Sequence, residues 1–261
     1  MTDDDVLVAR RDGWVDITLN RAGAANALSV GLVRGLRAAL SGLLAGDDSP
    51  RGVSLTGAGA KAFCAGADLK ERRGMSLEET RAFLRELNAT FDLLASLPVP
   101  TVAVMQGAAF GGGLELALAC DFRLAVDTAE MGLTEVRLGI IPGAGGTQRL
   151  ARTIGLPRAK ELILTGRRIR ADIALGYGLV HAVAAADALP ALVAQWKAEL
   201  GAGAPLAVAQ AKHALEAGFD RTLAEGLAGE RDAYARVLVS EDRNEGLAAF
   251  AEKRPPVWKG R

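Results

Sequence analysis

The sequence predicts an α/β protein whose C-terminal part is helical, and three observations lead to this class. Short β-type runs alternate with stretches of helical periodicity over the first 145 residues. After Gly146 the patterns become mostly helical, with one strand-like run at Leu179–Val183. The small-residue stretch Gly201–Pro205 separates two of those helical patterns. We therefore expect a core over residues 1–200 and a helical segment over residues 201–261.

The N-terminal elements follow from the spacing of their hydrophobic residues. Val6–Ala9 and Trp14–Leu19 are short apolar runs typical of strands. Leucine recurs about every fourth position over Leu28–Leu44, which predicts a helix. Gly52–Leu55 resumes the strand pattern, and helical spacing returns over Leu77–Leu97. This alternation is typical of α/β architecture.

A second group of elements is marked by local signals. Ser76 precedes a helical pattern and Glu79 follows three residues later, a spacing that predicts a capping box. Thr101–Met105 and Phe122–Val126 are strand candidates, with a buried helix expected over Gly112–Ala119 between them. Four further helices are expected at Thr147–Leu164, Leu189–Leu200, Leu206–Ala217 and Leu223–Leu238. The last of these helices have few places to bury apolar faces alone, so we expect them to pack on the core or on neighbouring subunits.

Composition restricts the possible functions. The 261 residues include 31 Lys+Arg and 31 Asp+Glu, so the net charge is zero and clustered positive charge for nucleic acid is not expected. The basic stretch Arg167–Arg170 is short and is interpreted as a solvated turn. Two cysteines, Cys64 and Cys120, are too few for a disulfide framework. Their spacing is not that of metal ligands, and His181 and His213 are isolated from each other and from the cysteines. We expect buried reduced thiols and no metal site.

No segment predicts membrane insertion or export. Met1–Asp5 is acidic and carries no apolar signal-type segment. Leu93–Leu114 lacks charged residues, but Pro98, Pro100 and several glycines interrupt it, which favours a strand, a loop and a helix over a membrane span. We expect a cytoplasmic protein.

Two glutamates twenty positions apart are the strongest catalytic candidates. Glu115 lies in an apolar stretch, and Glu135 precedes another apolar run. Apolar surroundings raise a carboxyl pKa and suit the group to proton transfer near neutral pH. The structural alternatives are a salt bridge from Glu115 to Arg123 or Arg137, and a surface pair between Glu135 and Arg137.

The glycine-rich segments do not form a nucleotide-binding motif. No G-x-x-x-x-G-K-[ST] and no G-x-S-x-G occurs, and Gly143–Gly146 lacks the last glycine of G-x-G-x-x-G. Gly112 at a predicted helix start and Ala67 in a small-residue loop are instead candidates for an anion hole built from backbone N–H groups. The alternative is that both are tight turns of a packed core. Similarly, Lys61, Asp68 and Lys70 are either surface charges or the rim of a site for a phosphorylated ligand.

Taken together, these segments resemble the enoyl-CoA hydratase/isomerase, or crotonase, superfamily. The matching pieces are Lys61–Lys70, Gly111–Asp121, and Glu135 followed by Leu138–Arg149, with Asn26–Leu28 and Gly176–Val180 in support. The resemblance implies a spiral of β-β-α turns and a C-terminal helical segment used in a homotrimer, commonly a dimer of trimers. It also implies that an acyl-CoA thioester is the substrate and that no separate cofactor is needed.

The resemblance assigns roles to particular residues. Glu115 and Glu135 would be the catalytic acids, and the N–H groups of Ala67 and Gly112 would bind the thioester oxygen. The loop Ala65–Lys70, with Ala65, Asp68 and Leu69, would hold the CoA adenine, and Lys61 and Lys70 would lie near its phosphates or adenine. Members that isomerise, dehalogenate or decarboxylate often lack one glutamate, so the presence of both predicts hydration of a trans-2-enoyl-CoA.

Within the superfamily, the chain looks most like the methylglutaconyl-CoA hydratase branch. Phe63–Arg72, Gly111–Arg123, Met131–Leu133 and Lys253–Gly260 are the pieces that favour this branch. We expect the acyl pocket to include residues from Leu77–Phe91, Leu133 and the C-terminal helices. The alternatives are Δ3-Δ2-enoyl-CoA isomerisation or another acyl-CoA lyase reaction, and, in a different class, a non-catalytic CoA-thioester or RNA-binding protein.

Overall fold

Two β-sheets organise the part of the chain that the computed structural model describes, residues 5–45 and 49–261. Their strands are β1 (Val6–Arg11), β2 (Trp14–Leu19), β3 (Gly52–Gly57), β4 (Ala62–Cys64), β5 (Thr101–Met105), β6 (Ala108–Phe110), β7 (Phe122–Val126), β8 (Glu130–Gly132), β9 (Ile169–Arg170) and β10 (Ala182–Ala184). The larger sheet has the order β1-β2-β3-β5-β7-β10, and the smaller has the order β4-β6-β8-β9. All pairs are parallel except β1 with β2 and β8 with β9.

The chain passes from the larger sheet to the smaller sheet within each of three successive strand pairs. The strands β3, β5 and β7 are neighbours in the larger sheet, and the strand that follows each of them, β4, β6 and β8, lies in the smaller sheet. Helices follow each pair before the chain returns to the larger sheet. This repetition confirms the expected spiral of β-β-α turns, and it brings the loops after β4, β6 and β8 close together.

The helices have the following bounds: α1 (Val30–Ala45), α2 (Leu69–Arg73), α3 (Leu77–Ala95), α4 (Gly112–Leu118), α5 (Gly146–Ile154), α6 (Leu156–Thr165), α7 (Ala171–Tyr177), α8 (Leu189–Gly201), α9 (Pro205–Phe219), α10 (Leu223–Leu238) and α11 (Glu241–Glu252). Short 3-10 turns lie at Ala22–Ala24 and Glu135–Leu138. No helix in the described part of the chain is long and apolar enough to cross a membrane.

Two local predictions have opposite outcomes. The capping box is confirmed, since Glu79 N donates to Ser76 Oγ at 3.2 Å and Ser76 N donates to Glu79 Oε2 at 2.7 Å. The single helix expected over Thr147–Leu164 is wrong, because the chain breaks at Gly155 between α5 and α6. Gly155 has φ 80° and ψ 153°, a conformation that interrupts the i→i−4 hydrogen bonds and that glycine adopts at low cost.

Large hydrophobic side chains form a buried core in the described residues up to Ala194. Leu32, Leu36 and Leu40 of α1 are fully buried, as are Phe63 and Phe91. Both cysteines are free and buried, as expected. Burial raises the pKa of the Cys64 thiol to about 12, so this thiol is protonated and unreactive at neutral pH.

The chain contacts separate two units. The first contains the described residues up to Leu97 together with Thr101–Ala194, and the second contains Pro98–Pro100 and Gln195–Arg261. In the second unit α9 packs on α10, where a Cβ added to Gly218 would lie 3.4 Å from the Cα of Gly226. The boundary at residue 200 stays a prediction.

Candidate active site

A cavity of about 880 Å³ lies in the first unit, where the loops after β4, β6 and β8 meet. Ala67, Gly112, Glu115 and Glu135 all line it, so the fold brings together the four residues predicted to act on the substrate. A cavity of this size, mostly apolar with a few polar groups, is typical of a small-molecule site.

Backbone pairing orients the amide of Ala67. Leu28 N donates to Gly66 O at 2.8 Å, and Asp68 N donates to Leu28 O at 3.1 Å. These two bonds form a parallel bridge between Leu28 and Ala67. In such a bridge the N–H and C=O of the central residue point away from the partner. The Ala67 N–H is therefore left available to a ligand.

Gly112 supplies a second amide beside the first. It is the first residue of α4, so its N–H has no acceptor within the helix. A Cβ added to Gly112 would lie 2.9 Å from Leu28 Cδ1 and 3.7 Å from Ala67 N. A side chain here would have to displace Leu28 Cδ1, so glycine keeps this approach open, and the two N–H groups form a pocket suited to a carbonyl oxygen that gains negative charge.

Asp68 holds this loop in place through both carboxylate oxygens. Oδ1 accepts hydrogen bonds from Lys70 N and Glu71 N at 3.1 and 3.3 Å, which caps α2. Oδ2 accepts from Arg21 Nη2 at 3.0 Å, and Arg21 Nη1 donates to Ala27 O at 2.6 Å. Burial would raise the pKa of Asp68, but the Arg21 and backbone hydrogen bonds outweigh it and lower that pKa. The ion pair between Arg21 and Asp68 therefore joins the segment that contains Leu28 to the loop that contains Ala67.

Glu115 is buried and anchored. Only 3% of the residue is exposed, and Oε1 accepts hydrogen bonds from Ala144 N and Gly146 N, both at 2.8 Å. Gly146 opens α5, so the carboxylate also lies at the positive end of a helix dipole. Burial raises the pKa of Glu115, and the two N–H donors together with the charge of Arg149 partly offset this rise.

Glu135 is buried without such an anchor. The residue is 9% exposed, and its Oε2 is the one buried side-chain oxygen or nitrogen in the described chain without a hydrogen-bond partner. Burial raises its pKa to about 7; its own backbone N–H opposes the rise, and the nearby charge of Glu115 adds to it. This acid is partly protonated at neutral pH and can give or take a proton there.

The interpretations of these glutamates as structural ion pairs are wrong. Arg123 instead donates to the carbonyl oxygens of Leu179 at 2.7 Å and Cys120 at 2.7 Å. Arg137 donates to Thr165 O at 3.2 and 3.1 Å. Both arginines satisfy main-chain carbonyls, so neither neutralises a cavity carboxylate.

The predicted CoA-contacting residues divide into two groups. Ala65 and Leu69 line the cavity with Ala67. Lys61, Asp68 and Lys70 do not line it, and both lysines are exposed.

Of the residues expected to form the acyl pocket, Leu84 and Leu87 of α3 line the cavity. Leu133 is fully buried instead, and every lining residue belongs to the first unit.

Sequence reasoning missed the donors that hold Glu115 and an arginine at the cavity. Ala144 and Gly146 lie about thirty residues from Glu115 in the sequence, and no local signal connects them. The Gly-rich run Gly143–Gly146 was the only available sign that backbone N–H groups are uncovered there. Arg72, at the end of α2, also lines the cavity.

Comparison with known proteins agrees with this geometry. Residues 10–261 match the model of the enoyl-CoA hydratase/isomerase family. An enoyl-CoA hydratase from Bacillus anthracis with a known crystal structure is 47% identical in sequence to this chain. The two structures match with a TM-score of 0.96 over 98% of this chain and 100% of that chain.

Two curated relatives match nearly the whole of this chain. The mitochondrial methylglutaconyl-CoA hydratase of Homo sapiens is 42% identical and is matched over 99% of this chain and 78% of its own length. The enoyl-CoA isomerase/hydratase fer4 of Mycosarcoma maydis is 43% identical and is matched over 97% of this chain and 95% of its own length. With a cavity that pairs two backbone amides with two buried glutamates, this chain belongs to the enoyl-CoA hydratase/isomerase family.

Proposed function

We propose that the protein hydrates a trans-2-enoyl-CoA reversibly to a 3-hydroxyacyl-CoA. One observation supports this most strongly: an anchored carboxylate, Glu115, and an unanchored one, Glu135, line the same cavity as two uncovered amides. Adding water across a conjugated double bond requires a base for the water, an acid for the neighbouring carbon and a site for the oxyanion. The cavity offers a group for each task.

The N–H groups of Ala67 and Gly112 donate hydrogen bonds to the thioester oxygen. They polarise the carbonyl, and they stabilise the enolate that forms when an oxygen nucleophile adds at C3. Removing one donor of this kind typically costs about 10²–10³ in rate. Because these donors are main-chain groups held by the bridge between Leu28 and Ala67 and by the start of α4, they need little reorganisation during the reaction.

The two glutamates divide the proton transfers. Glu115 takes a proton from water as the water oxygen bonds to C3, and Glu135 gives its proton to C2 as the enolate collapses. The net change is addition of one water molecule across the double bond, and exchange with solvent restores the two acids. Because the reaction is neither an oxidation nor a reduction, no redox cofactor is assigned, and the polarising role falls to the amides.

The CoA part of the substrate is assigned to the loop that follows β4. Ala65 and Leu69 line the cavity beside the amide pocket, which supports assigning to them a contact with the pantetheine and adenine parts. Exposed Lys61 and Lys70 offer positive charge to the phosphates. Asp68 contributes by fixing the loop, because its carboxylate is already engaged by Arg21 and two backbone amides.

The C-terminal helices are assigned to assembly into a homotrimer or a dimer of trimers. Large apolar residues of the second unit are exposed, among them Leu215 (76%), Leu223 (79%) and Phe250 (88%). An exposed apolar surface of this kind is typical of an interface. Light scattering on the purified protein tests this assignment, and a monomeric mass would contradict it.

Isomerisation is the second candidate. Moving a double bond between positions 3 and 2 needs one group that takes a proton at one carbon and returns it at another. The unpartnered Oε2 of Glu135 is suited to that transfer without help from Glu115. If isomerisation is the main reaction, Glu115→Gln will retain most turnover on a 3-enoyl-CoA, whereas hydration requires both glutamates.

The function is tested by following the loss of conjugated enoyl-thioester absorbance with crotonyl-CoA and with 3-methylglutaconyl-CoA. Saturable loss that disappears in Glu115→Gln and Glu135→Gln is the expected result. Formation of conjugated product from a 3-enoyl-CoA, with no hydration of either enoyl substrate, would favour the isomerase. Binding of CoA thioesters without turnover of any substrate would contradict both enzymes.

A further inference from the structure

Asn88 of α3 makes two hydrogen bonds, and one of them reaches the loop before α5. Its Nδ2 donates to Leu84 O, one turn earlier on the same helix, and to Gly143 O, both at 2.8 Å. Both partners are carbonyl oxygens, so only the NH₂ side of the amide can satisfy them. Asparagine is a poor helix former in the middle of a helix, and here its side chain ties α3 to a residue 55 positions away.

The hydrogen bond from Asn88 to Gly143 O continues through one peptide group to a catalytic acid. The carbonyl of this peptide group is that of Gly143, and its N–H is that of Ala144, which donates to Glu115 Oε1 at 2.8 Å. Hydrogen bonds linked in this way polarise one another, so donation to the carbonyl strengthens donation by the N–H. Asn88, the Gly143–Ala144 peptide and Glu115 therefore form one continuous hydrogen-bond network.

The two amides that hold Glu115 differ in what supports them. Gly146 is the first residue of α5, so the helix itself fixes the orientation of its N–H. Ala144 lies in the loop before α5. Within the described part of the chain, the hydrogen bonds of the Gly143–Ala144 segment are all to side chains. Loss of a supporting side chain would therefore disturb the Ala144 amide more than the Gly146 amide.

A second contact from α3 supports Ala144 from its other side. Arg149 Nη1 donates to Ala144 O at 3.0 Å, and Arg149 Nη2 pairs with Asp92 Oδ1 at 2.7 Å. Asp92 lies one turn after Asn88, so both contacts come from one face of α3. The Asp92 side chain is 71% exposed, whereas Asn88 is half-buried. Because exposed ion pairs contribute little in water, Asn88 is the stronger support.

We propose that Asn88 is a positioning residue for the water-activating step, because it fixes the peptide group that holds Glu115 in the orientation that takes a proton from water. Asn88 does not line the cavity, so it acts through this peptide and not by touching the substrate. Oε2 of Glu135 has no hydrogen-bond partner, so proton delivery at C2 does not draw on this network. The inference rests on the proposed hydratase function and adds a residue to its mechanism.

The test compares hydration of crotonyl-CoA by the wild type, Asn88→Ala, Asn88→Asp and Arg85→Ala. Aspartate has nearly the shape of asparagine, but it places an oxygen at the position of the donor and cannot donate when ionised. We expect kcat to fall about tenfold in both Asn88 variants, with KM within about threefold of wild type, because small displacements of a catalytic group are costly. Arg85→Ala is the matched control, since Arg85 is exposed on α3 and does not line the cavity.

Exchange of the C2 hydrogens of butyryl-CoA with solvent deuterium separates positioning from general damage to the site. This exchange needs the amide pocket and Glu135 but no activated water, so both Asn88 variants should retain it within about threefold of wild type. Equal losses of hydration and exchange would show damage to the whole site and would overturn the inference. A hydration kcat within about twofold of wild type in both variants would overturn it as well.

Hydrogen exchange of the Ala144 amide separates this inference from the proposed function, because it needs no turnover. In protein labelled with ¹⁵N-alanine and ¹⁵N-glycine, we expect Asn88→Ala to speed exchange at Ala144 about tenfold and to leave Gly146 unchanged. Unchanged exchange at Ala144 would contradict the inference, whatever the outcome of the hydratase assay. Hydration that survives in Glu115→Gln would instead contradict the proposed function, while the exchange result still decides whether Asn88 fixes the peptide.

Discussion

Glu115 and Glu135 line one cavity, but their surroundings differ in a way that assigns different chemistry to each. Glu115 on α4 is held by the amides of Ala144 and Gly146, whereas Oε2 of Glu135 has no hydrogen-bond partner. The pKa of both acids is raised by burial, but only Glu115 has hydrogen bonds from other residues and a nearby cation to offset the rise. An anchored carboxylate suits the orientation of a water molecule, and an unanchored acid with a pKa of about 7 suits proton delivery.

The largest effects are expected from removing either carboxylate. Glu115→Gln and Glu135→Gln should each lower kcat for hydration about 10²–10⁴-fold, the usual contribution of a general acid or base. Steady-state assays with crotonyl-CoA measure this. Glu130→Gln is the control, because Glu130 is an exposed glutamate on β8. Near-wild-type turnover in either cavity variant would remove that glutamate from the mechanism.

The anchor of Glu115 can be disturbed without changing the carboxylate itself. A Cβ at Gly146 would lie 2.8 Å from Glu115 Oε1 and 2.9 Å from Pro142 Cβ. We expect Gly146→Ala to lower kcat about 10–100-fold, because small displacements of a catalytic group are costly. Gly176→Ala on α7 is the matched control, since a Cβ there meets no atom within 4 Å. If the two variants behave alike, the anchor has no role in catalysis.

The unanchored acid predicts one pH dependence shared by the two directions of the reaction. Hydration needs protonated Glu135, so kcat/KM should fall about tenfold per pH unit above pH 7. Dehydration starts with the proton on Glu115 instead, so the pair carries the same number of protons and kcat/KM should fall in parallel. Initial rates from pH 5.5 to 9.5 with an enoyl-CoA and with its 3-hydroxyacyl product test this pattern. A kcat/KM for hydration that stays constant from pH 7 to 9.5 would contradict the assignment of the acid.

The smallest expected effect is on stability. Because the pKa of Glu135 is raised to about 7 in the folded state, from a usual value of 4.5, the folded state retains this proton longer than the unfolded chain. The resulting stabilisation is present below pH 4.5 and is lost as the pH rises through 7. Glu135→Gln should therefore be more stable than wild type by about 2 kcal/mol at pH 8, since solvent in the cavity screens part of the cost of burying the charge.

Urea unfolding at a fixed protein concentration measures this difference. The gain should become small near pH 4.5, where the wild-type carboxyl is neutral in the folded state and only half ionised in the unfolded chain. A variant that is less stable than wild type at pH 8 would contradict the conclusion that this buried charge lacks compensation.

Elements with strong local signals could be predicted from the sequence. Trp14–Leu19, Thr101–Met105 and Phe122–Val126 have the predicted bounds because each is a short apolar run in a buried sheet. Three-residue strands such as Ala62–Cys64 and Ala108–Phe110 were not predicted, because runs this short contain too few residues to show a period. They pair only because the spiral places them side by side.

The site shows the same division between local and tertiary information. The family motifs locate Glu115, Glu135, Ala67 and Gly112 in the sequence, and the fold places all four at one cavity. What distinguishes the two glutamates could not be predicted, because the donors to Glu115 come from the start of α5. The sequence pattern treats the two acids as equivalent, and tertiary packing makes them different.

The most direct test of this division is exchange of the C2 hydrogens of butyryl-CoA with deuterium in D₂O, followed by mass spectrometry. This exchange needs the amide pocket and the group that faces C2, but no water addition at C3. We expect Glu115→Gln to retain exchange and Glu135→Gln to lose it. Exchange that persists in Glu135→Gln, or that disappears in Glu115→Gln while the protein still binds butyryl-CoA, would contradict the assignment of proton delivery to Glu135.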